Sequence, residues 1–160
     1  MKTDITIERK PDCWQLETSL LLEHDIETVF AFFSDPYNLE IITPPLLRFN
    51  VLGMDTQTID EGSLISYKLR LRGIPVKWLT RIEMWDPPHQ FVDRQLKGPY
   101  KLWHHTHTFE SVDNGTLMRD IVRYRVPGGA LINRLLVEKD VRGIFEYRRE
   151  RIVEIFKDKV

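Results

Sequence analysis

The sequence predicts an α+β chain in which a curved antiparallel sheet of seven strands, with two short helices after its first strand, is covered by one long C-terminal helix. Three observations carry this. Six segments of strand character follow one another between about residues 46 and 126, separated only by turn chemistry: Asp60-Glu61-Gly62, Gly73-Ile74-Pro75, Asp86-Pro87-Pro88, Gly98-Pro99 and Asp113-Asn114-Gly115. Strands joined so tightly pair as a meander. Helical periodicity is confined to the stretch after the first strand and to the C-terminal end, and only the latter is long enough to cover the apolar face of such a sheet.

Residues 13–23 open the sheet, because Trp14, Leu16, Leu20 and Leu22 fall at even positions with Gln15, Glu17 and Glu23 opposite. From Asp25 the period changes. Ile26, Val29, Phe30 and Phe33 recur at helical spacing, Asp25 serves as the N-cap, and Asp35-Pro36 ends the helix. A second short helix over 36–42 stops at Thr43-Pro44-Pro45. Strands follow at about 46–54, 63–72, 76–85, 90–97, 101–111 and 116–126. Pro127-Gly128-Gly129 reads as the turn into a helix over 130–157, whose Leu131, Leu135, Val141, Ile144, Phe145, Ile152, Ile155 and Phe156 make an apolar stripe. Its arginines, Arg142, Arg148, Arg149 and Arg151, interleave with Glu138, Asp140, Glu146, Glu150 and Glu154, which reads as a solvated face of i,i+4 pairs. No linker or repeat divides the chain, so residues 1–160 are expected to be one domain. A helix crossing a curved sheet packs best at its middle and leaves space near one end, so an internal cavity is expected.

Bulk properties exclude several function classes. A chain of 160 residues buries about two thirds of its unfolded surface and needs no disulfide or metal to hold a core. Lys and Arg (23) balance Asp and Glu (24), leaving a net charge of -1 and no electrostatic footprint for nucleic acid. The single cysteine, Cys13, excludes an intramolecular disulfide and has no neighbour that would make it a reactive thiolate. Met1-Lys2-Thr3-Asp4 lacks the apolar run of a signal peptide, and no stretch approaches the ~20 apolar residues of a membrane span. A cytoplasmic location is the expectation. Monomer and homodimer both stay open.

The chemistry concentrates in Gly98-Pro99-Tyr100-Lys101-Leu102-Trp103-His104-His105-Thr106-His107-Thr108-Phe109. Strand alternation puts Trp103, His105, His107 and Phe109 on one face and sends His104 to the other. On the next strand Met118, Asp120, Val122, Tyr124 and Val126 share a face, which sets a carboxylate and a phenol among hydrophobes. Asp93 and Gln95 share the face of Phe91 and either join this cluster or form an outward polar edge. Tyr67, Trp78 and Trp14 lie where alternation directs them inward, as ligand-lining aromatics or as core. The two imidazoles admit three roles: orienting a ligand within a satisfied network, acid–base catalysis, or metal binding with Asp120 or Asp93 as third donor. All of this depends on register, since a shift of one residue would turn His104 and Thr106 inward instead.

Phe91-x-Asp93-x-Gln95-x-x-Gly98-Pro99-Tyr100, Trp103-x-His105-x-His107-x-Phe109 and Met118-x-Asp120-x-Val122-x-Tyr124-x-x-Pro127-Gly128 together resemble a bacterial polyketide cyclase/dehydrase-like subgroup of the START-like (SRPBCC) superfamily. Leu20-x-x-x-His24-x-Ile26-x-x-Val29-Phe30-x-Phe32-Phe33-Ser34-Asp35-Pro36 resembles that superfamily's first strand-to-helix junction. The resemblance runs from about Trp14 to Phe156. It implies the helix-grip fold and a hydrophobic cavity, on which ligand transport, cyclase chemistry and co-chaperone roles all occur. The leading expectation is binding of a small hydrophobic or aromatic ligand, with His105, His107, Asp120 and Tyr124 at its polar end. Trp103, Phe109, Met118 and Val122 would contact its body, with Asp93, Gln95, Tyr67 and Trp78 as further contacts. The alternative is a cyclase/dehydratase in which His105 or His107, oriented by Asp120, takes a proton while Tyr124 polarises a carbonyl. Neither needs a cofactor or a metal, and a protein-interaction module is the third class.

Overall fold

The computed structural model describes residues 4–157; residues 1–3 of the polar N-terminus, and 158–160, lie outside it. The strands are β1 (Ile5–Arg9), β2 (Trp14–Leu22), β3 (Asn50–Met54), β4 (Leu64–Leu71), β5 (Ile74–Asp86), β6 (Gln90–Lys97), β7 (Leu102–Val112) and β8 (Gly115–Arg125). They form one antiparallel sheet in the order β1-β2-β8-β7-β6-β5-β4-β3. The helices are α1 (Ile26–Phe33), α2 (Asn38–Ile41), α3 (Gly129–Ile132) and α4 (Glu138–Lys157). Among the described residues no helix is long and apolar enough to cross a membrane.

The α+β architecture follows the expectation, with three corrections. Among the described residues the sheet holds eight strands rather than seven, the addition being β1, which pairs with β2 from Ile5↔Thr18 to Arg9↔Trp14. Only Ile5 is buried on β1, so this short edge strand leaves almost no period-two signal. The strand expected from residue 46 begins at Asn50, because Pro44-Pro45 initiates a 3-10 turn over Pro45–Leu47. The C-terminal helix is interrupted by a π segment at Asn133–Val137 between α3 and α4. Its wider turn shifts the phase of the apolar stripe. Leu131 and Leu135 are consequently 66% and 61% exposed, while Asn133 is buried in their place.

Helix α1 seats the first part of the core. Thr28 N–H donates to Asp25 Oδ1 at 2.8 Å, the N-cap bond expected from the sequence, which contributes ~1 kcal/mol. Ile26, Val29, Phe30, Phe32 and Phe33 are buried on its inner side. Phe30 meets Phe91 and Phe109 edge-on at ring separations of 6.0 and 5.4 Å, the geometry favoured by aromatic quadrupoles. Phe91 also stacks on His107 at 4.0 Å, so it joins the α1 core to the polar cluster. Phe91→Leu is expected to cost about 1–2 kcal/mol, read as a lower urea midpoint with unchanged slope. An unshifted midpoint would mean that the ring contributes no more than its aliphatic volume.

A tight turn closes the β4–β5 hairpin. Arg72 and Gly73 both have positive φ (50° and 80°), as a type I′ turn demands. Arg72 Nε and Nη2 donate to the two oxygens of Asp140 at 3.0 Å each, which ties the hairpin to α4. Gly115 is required for a different reason, because a Cβ there would stand 2.1 Å from the Leu22 carbonyl oxygen. The outer strands are engaged too: Val51 N–H on β3 donates to Glu40 Oε1 at 2.8 Å, and Arg142 Nη1 donates to the Ile5 carbonyl on β1 at 2.9 Å. The β3–β4 register also shifts between Val51 and Gly53.

Candidate functional site

The sheet, α1, the loop after it and α4 enclose a cavity of about 150 Å³. Its walls are chiefly aromatic and aliphatic, with Tyr67 and Leu69 from β4, Trp78 from β5, Trp103 from β7 and Phe145 from α4. Strand alternation on β6 and β7 brings Asp93, His105 and His107 to its polar side. Asp93 pairs across from His105, and His107 pairs across from both Phe91 and Asp120.

The side chains connect along the diagonals. His105 Nε2–H donates to Asp120 Oδ1 at 2.7 Å, and His107 Nε2–H donates to Asp93 Oδ2 at 2.7 Å. The two imidazoles stack at 3.7 Å between ring centres. His107 Nδ1 lies 3.2 Å from Asp120 Oδ1, an electrostatic contact without hydrogen-bond alignment. His105 Nδ1 is 3.8 Å from Asp93 Oδ2. Both histidines and Asp120 are buried.

Burial acts against charge on all four groups, and their partners decide which ones ionise. For Asp120, burial is outweighed by the Arg148 charge and by the two histidines, which hold its carboxyl well below the usual range. At Asp93 the His107 hydrogen bond and the neighbouring positive charges likewise overcome burial and lower it. Burial and the adjacent His107 push His105 down to about 4, against the opposing pull of Asp120. His107 moves upward, because its close contact with the Asp120 carboxylate and its hydrogen bond to Asp93 overcome burial. At neutral pH the cluster therefore holds two carboxylates and a neutral His105, with His107 shifted towards its protonated form.

Asp93, His105 and His107 present donor atoms within 4.8 Å of one another, a spacing compatible with one metal ion. Ring orientation argues against that use. The imidazole planes are only 27° apart and stacked head to tail, His105 Nδ1 facing Asp93 and His107 Nδ1 facing Asp120, so their in-plane lone pairs do not converge on a common point.

The remaining expected residues divide. Trp103, Tyr67, Trp78 and Asp93 line the cavity together with both histidines. Asp120 stands behind the histidines, beside a smaller void. Phe109 and Met118 pack in the α1 core, and Val122 and Tyr124 in the cluster with Leu16 and Phe145; none of these four lines the cavity. Trp14 packs against that second cluster. The Tyr124 hydroxyl lies among Asn133, Glu138 and Arg142, and burial pushes it up to about 12. Tyr124 therefore is not brought to the His–Asp pairs. Gln95 holds the following turn, donating from Nε2 to the Tyr100 carbonyl at 2.7 Å and accepting from Tyr100 N–H at 3.1 Å. His104 faces away, 3.5 Å from Glu83.

The sequence reading missed Arg148. Expected on a solvated face, it is 8% exposed and lines the cavity, with its guanidinium 5.8 and 5.6 Å from the ring centres of Phe33 and Phe145. Its Nη2 is 3.6 Å from Asp120 Oδ1. The signal was spacing: Val141, Phe145, Arg148, Ile152 and Phe156 follow a single helical stripe, and the neighbouring run of charges concealed it.

Comparisons with known proteins agree with this fold. A family model described as polyketide cyclase / dehydrase and lipid transport matches residues 22–155. A search of curated proteins returned no match. Among solved structures, protein Ms6760 from Mycobacterium smegmatis is similar in fold, with a TM-score of 0.71 at 17% identity over 98% of this chain and 99% of that one. A START superfamily protein from the same organism has a TM-score of 0.61 at 13% identity, covering 86% and 98%. Ginseng major latex-like protein 151 from Panax ginseng has a TM-score of 0.65 at 12% identity, covering 86% and 93%. With the helix-grip architecture in place and the family match spanning most of its length, the chain belongs to the polyketide cyclase / dehydrase and lipid transport family.

Proposed function

We propose that the protein binds a small hydrophobic or aromatic ligand inside this cavity, the polar end of the ligand against the His–Asp cluster and its body against Trp78, Trp103 and Tyr67. The supporting observation is the cavity itself. Its volume of about 150 Å³ is the size at which an apolar cavity takes a benzene-like ring, and the wall is mainly apolar with polar groups gathered on one side. Native mass spectrometry on protein isolated from its own cells tests the reading. Wild type should carry a small organic mass that is released on denaturation, and Leu71→Trp, which narrows the cavity, should carry less. Protein free of any organic mass, and unresponsive to added benzene derivatives by calorimetry, overturns it.

A second reading, a cofactor-independent cyclase or dehydratase, is favoured by the two His–Asp pairs beside the cavity. An imidazole would take a proton from a carbon next to a carbonyl, leaving an enolate. Electrostatics favour binding over this step. His105 has its free lone pair on Nδ1 but is held near 4, a weak base at neutral pH, and both nitrogens of His107 face carboxylates. Tyr124, away from the cavity, does not serve as the polarising group in this scheme.

A further inference from the structure

Arg148 is a buried cation whose donors are not used up. Its Nε and Nη2 have no hydrogen-bond partner, although the residue is 8% exposed and forms part of the cavity wall. Arginine stays charged in a protein, so these donors require an acceptor or impose a desolvation cost. Nε–H and Nη2–H form one edge of the guanidinium, the fork that accepts an oxygen ligand from the side. Asp120 is close enough to balance the charge at 3.6 Å, yet too far for a formed bond, and its Oδ1 already accepts from His105 at 2.7 Å.

Charge balance narrows the acceptor. Asp93 and Asp120 contribute two negative charges. Arg148 contributes one positive charge, and His107, lying 2.7 Å from Asp93 and 3.2 Å from Asp120, is placed to contribute the other. An anionic ligand would leave unbalanced negative charge in a buried site, which is costly. A neutral carbonyl oxygen would satisfy the free donors and leave the balance unchanged.

Resting on the reading that the cavity binds a ligand, we infer that Arg148 is a ligand-anchoring residue that selects a neutral carbonyl group on an aromatic body, in preference to a hydrocarbon or a carboxylate. Phe33 and Phe145 flank the guanidinium, and such apolar surroundings strengthen a charge-assisted hydrogen bond. The competing arrangement has a water in the void of about 10 Å³ beside Asp120 and Arg148, a volume at the lower limit for one molecule. Arg148 would then make no demand on a ligand.

Calorimetric titration with acetophenone, its near-isostere isopropylbenzene and benzoate separates these cases. The ketone should bind wild type about tenfold tighter than the hydrocarbon, the scale of one hydrogen bond to a charged group, and also tighter than the acid. In Arg148→Met the ketone should lose this advantage while the hydrocarbon still binds; Arg148→Lys, which keeps the charge without the fork, should keep only part of it. Thermal melts identify any variant that fails to fold, and the wild-type comparison stands without the variants. Equal binding of ketone and hydrocarbon, a preference that survives in folded Arg148→Met, or strongest binding by benzoate overturns the inference while leaving the cavity function intact. Failure of all three probes overturns both.

Discussion

Asp120→Asn should destabilise the protein by about 3–5 kcal/mol, the cost of removing one partner from a buried ionic cluster. The carboxylate accepts from His105 at 2.7 Å and lies 3.2 Å from His107 Nδ1 and 3.6 Å from Arg148 Nη2, so it serves three cationic or donor groups at once. Asparagine keeps the shape and one acceptor oxygen but removes the charge, leaving Arg148 with only the more distant Asp93. For a chain of this length the loss corresponds to a melting temperature lower by roughly 6–20 °C. In the double variant Asp120→Asn/Arg148→Met the damage should be less than the sum of the single effects, because the stranded cation has been removed. Urea denaturation of the four proteins supplies the cycle. Strict additivity, or a single-variant loss under about 1 kcal/mol, would show that Asp120 and Arg148 do not act as a buried pair.

Acidification should weaken the fold well before the carboxylates titrate. In the unfolded chain a histidine titrates near 6.5, whereas burial beside His107 holds His105 at about 4 in the folded state. Between these values the unfolded chain binds a proton that the folded chain refuses, so stability falls as pH falls. At 1.36 kcal/mol per pH unit the interval corresponds to about 3 kcal/mol between pH 6.5 and 4. His107 works in the opposite sense: its raised folded value contributes stability that is complete below 6.5 and is lost as pH rises through that value. Asp93 and Asp120 contribute above 3.8 and lose their contribution only as pH falls through their lowered folded values. Urea melts at pH 4, 5, 6 and 7 should therefore show a steep acid limb in wild type and a flatter one in His105→Gln, which retains a donor for Asp120. Equal acid limbs in the two proteins would mean that His105 already carries its proton in the folded state at pH 6.

Where one physical signal dominated a segment, the sequence was readable. Period-two alternation from residue 101 set the faces of β7 correctly, and with them the neighbourhood of His105 and His107. The Asp25 cap and the Asp35-Pro36 stop bounded α1 because each acts locally. Long-range causes were harder to read. Nothing near Asn133 announces a π turn, yet it rotates the stripe that Leu131 and Leu135 appeared to continue. Tyr124 shares a face with Asp120, but face says nothing about position along the strand, and the cavity ends before reaching it. Arg148 was hidden by composition, since a buried arginine among surface charges is recognised only after its place on the helical stripe is weighed above its residue type.

Both outer strands of the sheet bear on how this protein behaves when concentrated. An open strand offers its backbone to a passing chain and can template intermolecular β-structure. Here Glu40 occupies an amide on β3, the Val51–Gly53 irregularity breaks that strand's regular repeat, and Arg142 occupies a carbonyl on β1. These are gatekeeping devices against fibrillar stacking. They also make continuation of the sheet across two molecules an unfavourable route to a dimer, so self-association would have to use side chains rather than a shared ladder of backbone bonds.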